Sequence, residues 1–196
     1  MLGPATPPQP SQRERRTFPP ERLAPLRERE LIASLAQVGV HEHRWLTYRD
    51  GDLTRVSLAE GASDLVPVME DVRPDVIVTF GPDGMTGHPD HRAVSAWTRE
   101  AWRQTGQHAE LWYATLTPDF HRSWGELNDR VGLWMTTPPV TSDARLSAQV
   151  RLSGPLLARK HRALRAHASQ TRVLEDLVGS ETYREWWSTE SFVAAR

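Results

Sequence analysis

The chain has 196 residues, with 24 basic and 25 acidic side chains and no cysteine. This length suits one domain with a sizeable core, and the nearly neutral charge gives no electrostatic reason to expect nucleic acid or an anionic membrane as a partner. The absence of cysteine excludes disulfides, a thiol nucleophile and cysteine-ligated zinc, which leaves histidine, aspartate and glutamate as metal ligands. No apolar run approaches the roughly 20 residues of a membrane span, and no signal-like stretch begins the sequence, so we expect a cytoplasmic protein.

The first 25 residues differ in composition from the rest of the chain. They are rich in proline and poor in apolar residues, which predicts a loop or a disordered segment over 1–25. From Leu26 the spacing of Leu31, Leu35 and Val38 predicts a helix that ends at Gly39. We therefore interpret residues 26–196 as a single domain.

The next stretch predicts a strand, a helix and a second strand. Residues 45–48 have the composition of a short strand that ends in an Asp-Gly turn. Residues 62–72 predict a helix with Pro67 in its first turn or two. The run "DVIVTF" (75–80) has no polar alternation, so it predicts a parallel strand that is covered on both faces.

The second half of the sequence repeats this alternation of helices and strands. Helical spacing over 92–106 and 155–177 predicts two helices, and residues 109–116 predict a strand. We expect two further short strands at 131–137 and 146–152. The adjacent Trp186 and Trp187 indicate either an interface or a cap on the core, and we favour the cap. The alternation predicts an α/β fold with right-handed crossovers.

The segment "GHPDH" (87–91) follows the strand predicted at 75–80 and begins a helix. Pro89 suits the first helical position and keeps His88 out of the helix, so we place His88 at the cap and His91 on the first turn. Asp90 lies at the same positive end of the helix. One neutral imidazole can then bind a metal while the other donates a proton or stabilises an oxyanion. On spacing alone, an aspartate cap with two solvated histidines remains an equal alternative.

In this context the sequence resembles the LmbE-like or PIG-L-type N-acetylglucosaminyl deacetylases. The stretch "TFGPDGMTGHPDHRAVSAW" is similar to that family's second signature, and "LRERELIASLAQVGV", "WLTYRDGDL", "VRPDVIVTF" and "KHRALRAHASQ" follow the family's order. The resemblance spans about residues 23–172. It implies a Rossmann-like α/β fold, with a mostly parallel sheet flanked by helices, and hydrolysis of the acetamide of an amino sugar conjugate with Zn²⁺ or another divalent metal.

The resemblance also implies roles for five residues. His91 corresponds to a metal ligand, and His88 corresponds to the group that stabilises the oxyanion or acts as an acid. Asp90 is expected to orient a neighbouring histidine. Arg27 and Asp50 match positions that contact sugar hydroxyls, although a solvated helix charge and a turn-forming aspartate are equal alternatives for these two.

One family signature is absent from the sequence. The Ala-His-Pro-Asp-Asp-Glu stretch, which supplies the other metal ligands and the general base, has no counterpart, and His41, His43 and "TPDFH" (117–121) do not replace it. We therefore expect an N-terminally truncated member, inactive as it stands and poorly stable or prone to aggregate because a central strand is missing. The alternative is a non-catalytic remnant that binds a sugar or a protein. A nucleotide-binding domain is disfavoured because no Gly-x-Gly-x-x-Gly follows a strand.

The resemblance leaves several properties open. Family substrates include phosphoinositide-linked, inositol-linked, malate-linked and oligosaccharide N-acetylglucosamine. A site of histidine and aspartate accepts zinc, iron, cobalt or manganese. The sequence does not indicate an oligomeric state.

Overall fold

The computed structural model describes residues 20–195. In this range the chain forms seven helices: α1 (Pro20–Val38), α2 (Leu58–Val72), α3 (Pro89–Gln104), α4 (Pro118–Val131), α5 (Gly154–Ala166), α6 (Ala168–Val178) and α7 (Ser180–Trp186). The strands of the same range are β1 (Val76–Phe80), β2 (Glu110–Thr115), β3 (Ala148–Arg151) and β4 (Thr189–Ala194). The α/β fold expected from the sequence is confirmed.

The four strands form one mixed sheet in the order β1-β2-β4-β3. β1 and β2 are parallel, with Val78 opposite Trp112, as expected for a strand–helix–strand unit. β4 is antiparallel to β2, with Phe192 opposite Ala114. The expectation of a mostly parallel sheet is thus corrected, because the C-terminal strand returns alongside β2 in the opposite direction.

β1 lies at an edge of this sheet. The prediction that both of its faces are covered is wrong for the described residues. Val76 is 37 % exposed and Val78 is 55 % exposed. Their side chains point to the same face because residues two apart in a strand do so. A run without polar alternation indicates apolar surface, but it does not show whether a second layer covers that surface.

The described residues group into two compact units. One contains residues up to 44 together with 130–132 and 151–189, and the other contains 45–129, 133–150 and 190–195. In the first unit α1 packs against α5, and Tyr183 and Trp186 are buried. In the second unit α3 packs against α2 and β1, with Trp97 and Ala101 of α3 buried. The prediction that Trp186 belongs to the core is confirmed.

The helix predictions are right in position but differ in their limits. α1 begins at Pro20, so the last residues of the predicted loop are helical, and the rest of that prediction lies outside the described residues. α2 begins at Leu58 after the cap Ser57, and Pro67 therefore falls in its middle rather than near its start. Since proline lacks an N–H group, this helix lacks one backbone hydrogen bond there.

The long helix predicted at 155–177 is broken at His167, whose ψ of 48° is not helical. The break coincides with a contact from a distant part of the chain. Both carboxylate oxygens of Glu30 accept hydrogen bonds at the start of α6, one from the backbone N of Ser169 at 2.8 Å and one from its hydroxyl at 2.7 Å. A partner 139 positions away caps the new helix, and periodicity does not reveal such a contact.

Two predicted strands do not form, and one real strand was missed. Residues 45–48 are irregular, since Tyr48 packs on Trp97 (ring centroids 5.2 Å apart) and donates to Asp64 instead of joining a ladder. Residues 132–137 also lack a strand partner. The predictions of β2 and β3 are confirmed, whereas the sequence analysis predicts no strand at β4.

None of the helices in residues 20–195 combines the length and apolar character that crossing a bilayer requires.

Candidate functional site

The GHPDH segment lies where the end of β1 meets the start of α3. β1 ends at Phe80, a loop follows, and α3 begins at Pro89 with His88 as its N-cap. The predicted cap and first helical residue are confirmed. The segment therefore lies at the carboxyl end of a strand, which is the usual position of sites in α/β sheets.

His88 is fixed by the helix that it caps. Its Nδ1 atom accepts a hydrogen bond from the backbone N of Asp90 at 3.1 Å. An accepting Nδ1 carries no hydrogen, so the neutral ring carries its hydrogen on Nε2. His88 therefore presents an N–H donor on the side of the ring that faces away from the helix backbone.

His91 is held in the opposite tautomer. Its Nδ1 atom lies 3.0 Å from the carbonyl oxygen of Gly84 and 3.0 Å from the hydroxyl of Thr86. A carbonyl can only accept, so Nδ1 carries the hydrogen and Nε2 keeps its lone pair. Burial lowers the pKa of His91, and the neutral ring stacks on Phe80 with centroids 4.0 Å apart.

The two rings thus offer complementary chemistry at one place. Their centroids are 5.1 Å apart, and one ring presents a donor while the other presents a lone pair. A carbonyl oxygen that gains negative charge needs a donor, whereas a metal ion needs a lone pair. The pair can serve both needs without a change of protonation.

Asp90 is buried, with 5 % of its surface exposed. Its Oδ2 accepts a hydrogen bond from the backbone N of Gly51 at 2.6 Å, and its Oδ1 is buried without a hydrogen-bond partner among the described residues. The contact that orients His88 runs through the backbone of Asp90, whereas we had expected the carboxylate to orient a histidine. The carboxylate instead holds the loop around residue 51 against the start of α3.

Asp50 and Arg27, the two sugar-binding candidates, lie in different units of the described chain. Asp50 precedes Gly51, so the bond to Asp90 brings it to the GHPDH segment, and its charge raises the pKa of His91 as a minor influence. Arg27 lies on α1 in the first unit, where its side chain is half-buried. The sugar contacts of both residues stay predictions.

The described residues do not fit a complete metal centre. No group of three or more histidine, aspartate or glutamate side chains is placed in residues 20–195 so that it could hold an ion. At the site, Nε2 of His91 and Oδ1 of Asp90 could each coordinate an ion, and zinc in proteins takes three or four side-chain ligands. Asp119 and His121 lie on α4, so they do not extend the GHPDH segment.

Several supporting residues were missed by sequence reasoning. Gly84 and Thr86 hold His91, and Thr86 also accepts a backbone hydrogen bond from Met135 at 2.8 Å. Gly84 has φ +76°, and a Cβ there would lie 2.9 Å from Arg92 Cγ, which accounts for the glycine. Only the fold of the loop brings these groups to the imidazole, so no sequence spacing indicates them.

Comparison with known proteins gives consistent results. The family model described as "PIG-L: GlcNAc-PI de-N-acetylase" matches residues 3–102, about half of the chain. A "1D-myo-inositol 2-acetamido-2-deoxy-alpha-D-glucopyranoside deacetylase" of Streptomyces avermitilis is 31 % identical over 190 residues, and the match covers 77 % of this chain and 64 % of that protein. This chain thus spans less than two thirds of the length of that relative.

Solved structures with the same fold include two forms of a teicoplanin deacetylase. A triple mutant of a deacetylase of the teicoplanin biosynthetic pathway has a TM-score of 0.58 at 21 % identity, over 97 % of this chain and 82 % of that chain. A zinc-inhibited form of a teicoplanin deacetylase has a TM-score of 0.55 at 16 % identity, over 97 % of this chain and 83 % of that chain. At these identities the likeness establishes the fold alone.

Proposed function

The chain belongs to the PIG-L family of GlcNAc-PI de-N-acetylases, and on this basis we propose that it carries one half of a site for removing the acetyl group from an N-acetylglucosamine conjugate. The observation that supports this proposal is the pair of neutral imidazoles held in complementary tautomers at the start of α3. An amide hydrolase needs a donor for the developing oxyanion. His88 carries its hydrogen on Nε2, the ring nitrogen that is free to donate to that oxygen.

In the proposed reaction His88 acts on the acetyl group directly. As water adds to the acetamide carbon, the carbonyl oxygen gains negative charge, and the Nε2–H of His88 donates to it. The N-terminus of α3 adds favourable potential because His88 caps the positive end of the helix dipole. When the C–N bond breaks, the leaving amine takes up the proton that the attacking water has given up, through a base that this half of the site does not supply, while the neutral His88 keeps its hydrogen.

His91 has a different part in the proposal. Its Nε2 lone pair can serve as a ligand for zinc or a related divalent ion, and the hydrogen bond from Nδ1 to Gly84 fixes the ring for that purpose. The described residues do not complete such a centre, so we propose that the 196-residue polypeptide binds zinc weakly and does not turn over substrate. A cytoplasmic location is part of the same proposal, and cell fractionation tests it.

The tautomers provide the most direct test. Long-range ¹⁵N–¹H correlation spectra distinguish which ring nitrogen carries hydrogen, and single substitutions of His88 and His91 assign the signals. We expect His88 to be protonated at Nε2 and His91 at Nδ1. The opposite assignment at His88 would remove the donor and contradict the proposed role.

Calorimetric zinc titration and a deacetylation assay test the second part of the proposal. We expect weak zinc binding that His91→Ala reduces and His121→Ala leaves unchanged, since His121 is an exposed histidine on α4. GlcNAc-inositol serves as substrate, and free amine is the measured product. Tight binding of one zinc with release of amine would show that this chain forms a whole centre, contrary to the proposal.

A further inference from the structure

A groove runs along the surface of α3 beside the start of α2. Its volume is about 400 Å³, which is within the range of sites for small organic ligands. All residues that line it belong to the second unit of the described chain. Its polar lining comes from α3 and consists of Arg92, Ser95, Arg99, Glu100 and Arg103.

The arginines make this groove electropositive. Arg92, Arg99 and Arg103 are spaced by seven and four positions, so they lie on one face of α3. The carboxylate of Glu100 accepts a hydrogen bond from Arg103 at 3.0 Å, and this pair is close to neutral. Arg92 uses Nε to donate to the carbonyl of Asp83 at 3.1 Å, which occupies one of its five donors. Arg92 and Arg99 therefore give the groove two positive charges that the Glu100 carboxylate does not offset.

Ser95 lies between these two charges, three positions after Arg92 and four before Arg99. It is 2 % exposed, and its hydroxyl has no hydrogen-bond partner within residues 20–195. Thr98 on the same helix shows the usual alternative, since its hydroxyl donates to the carbonyl of Val94 at 2.8 Å. A buried hydroxyl without a partner costs stability. Because Ser95 lines the groove, a ligand there can supply the missing partner.

The opposite part of the groove is apolar. Leu58, which is 49 % exposed, and Pro82 in the loop after β1 line it there. Leu58 is also the first residue of α2, so the positive end of that helix dipole lies at the groove. This composition suits an anionic group that is attached to an organic body.

From these observations we propose that the groove binds the phosphate group of a small phosphate monoester. Such a group carries close to two negative charges near neutral pH, which matches the charges of Arg92 and Arg99. Guanidinium groups bind phosphate oxygens through paired N–H donors, and the hydroxyl of Ser95 donates to another oxygen. Leu58 and Pro82 contact the organic part. This inference is independent of the proposed deacetylation, since it uses neither imidazole.

Calorimetric titration of the whole 196-residue chain with glycerol phosphate tests the proposal. We expect saturable binding at one site. Arg99→Gln should weaken it about tenfold, because the substitution removes charge-assisted hydrogen bonds. Arg122→Gln is the control, since this arginine is 70 % exposed on α4 and lies outside the groove. It should bind glycerol phosphate as the unaltered chain does.

Ser95→Ala separates a formed site from diffuse attraction to positive charge, since it leaves every charge in place. It should weaken glycerol phosphate binding roughly fivefold. The urea midpoint of the ligand-free variant should stay the same or rise, because the substitution removes a buried hydroxyl without a partner. Absence of saturable binding, equal losses for Arg99→Gln and Arg122→Gln, or full binding by Ser95→Ala would overturn the proposal.

The same phosphate group occurs on soluble metabolites and on the lipid phosphatidic acid. Sedimentation with phosphatidylcholine vesicles, prepared with and without phosphatidic acid, distinguishes these sources. Sedimentation that requires phosphatidic acid and is lost in Arg99→Gln would assign the groove to the lipid. Binding of glycerol phosphate without such sedimentation would assign it to a soluble monoester, which is the result we expect.

Discussion

Replacing Asp90 with alanine tests whether the buried carboxylate holds the site together. Asp90 is 5 % exposed, and its Oδ2 accepts from Gly51 N at 2.6 Å. A hydrogen bond to a charged group contributes about 1.5–3 kcal/mol to stability, and a carboxylate in the first helical turn contributes about 0.3–1 kcal/mol. The two contributions add to roughly 2–4 kcal/mol.

The second oxygen of the same carboxylate lowers this expectation. Oδ1 is buried without a hydrogen-bond partner among the described residues, so it carries a desolvation cost that alanine removes. We therefore expect Asp90→Ala to lower the free energy of unfolding by about 2 kcal/mol, near the bottom of that range. With a urea m-value of about 2 kcal/mol per molar, the midpoint moves down by about 1 M.

The chain contains a matched control for this substitution. Asp119 also follows a proline that begins a helix, so it has the same position relative to the dipole of α4. Its side chain is 73 % exposed and, within residues 20–195, pairs with Arg122 on the same helix. Asp119→Ala should therefore cost less than about 1 kcal/mol.

Urea unfolding followed by tryptophan fluorescence measures both variants. Equal losses for Asp90→Ala and Asp119→Ala would refute the reasoning, since only the helix position would then contribute. Asp90→Asn provides a further check because its amide oxygen can still accept from Gly51. It should recover about half of the lost stability.

Three further predictions concern groups outside the site. A Cβ at the buried Gly61 would overlap the indole of Trp97, so Gly61→Ala should lower the free energy of unfolding by about 1–3 kcal/mol in the same urea assay. A Cβ at Gly125 would meet His121 at an ordinary 3.7 Å, so Gly125→Ala on α4 should raise stability by about 0.5–1 kcal/mol, and a loss there would contradict the geometry. Burial, with a smaller effect from Glu175, raises the pKa of Tyr183 to about 12; because the folded chain holds this proton more tightly than the unfolded chain, stability should fall as the pH rises from 10 to about 12. Urea midpoints across that range measure the fall, and an equal fall in Tyr183→Phe would show that another group causes it.

The local features of the candidate site were predictable from the sequence. The order His-Pro-Asp-His after an apolar strand determines that His88 caps a helix, that Pro89 begins it, and that His91 lies on its first turn, because each preference acts over a few residues. The helical spacing over 92–106 likewise predicted α3, in which Trp97 and Ala101 are buried. The family signature in this segment also pointed to the fold.

The tertiary structure decided what each of these groups contacts. The tautomer of His91 depends on the carbonyl of Gly84, and the carboxylate of Asp90 binds the backbone of a residue 39 positions away. Glu30 accepts hydrogen bonds at the start of α6 from a residue 139 positions away. Likewise, the sequence of β1 indicates a strand but does not reveal that β1 is the terminal strand of the sheet formed by residues 20–195. Periodicity reports which way a side chain faces along its own element, whereas partners across the fold depend on loop closure and packing that no local pattern encodes.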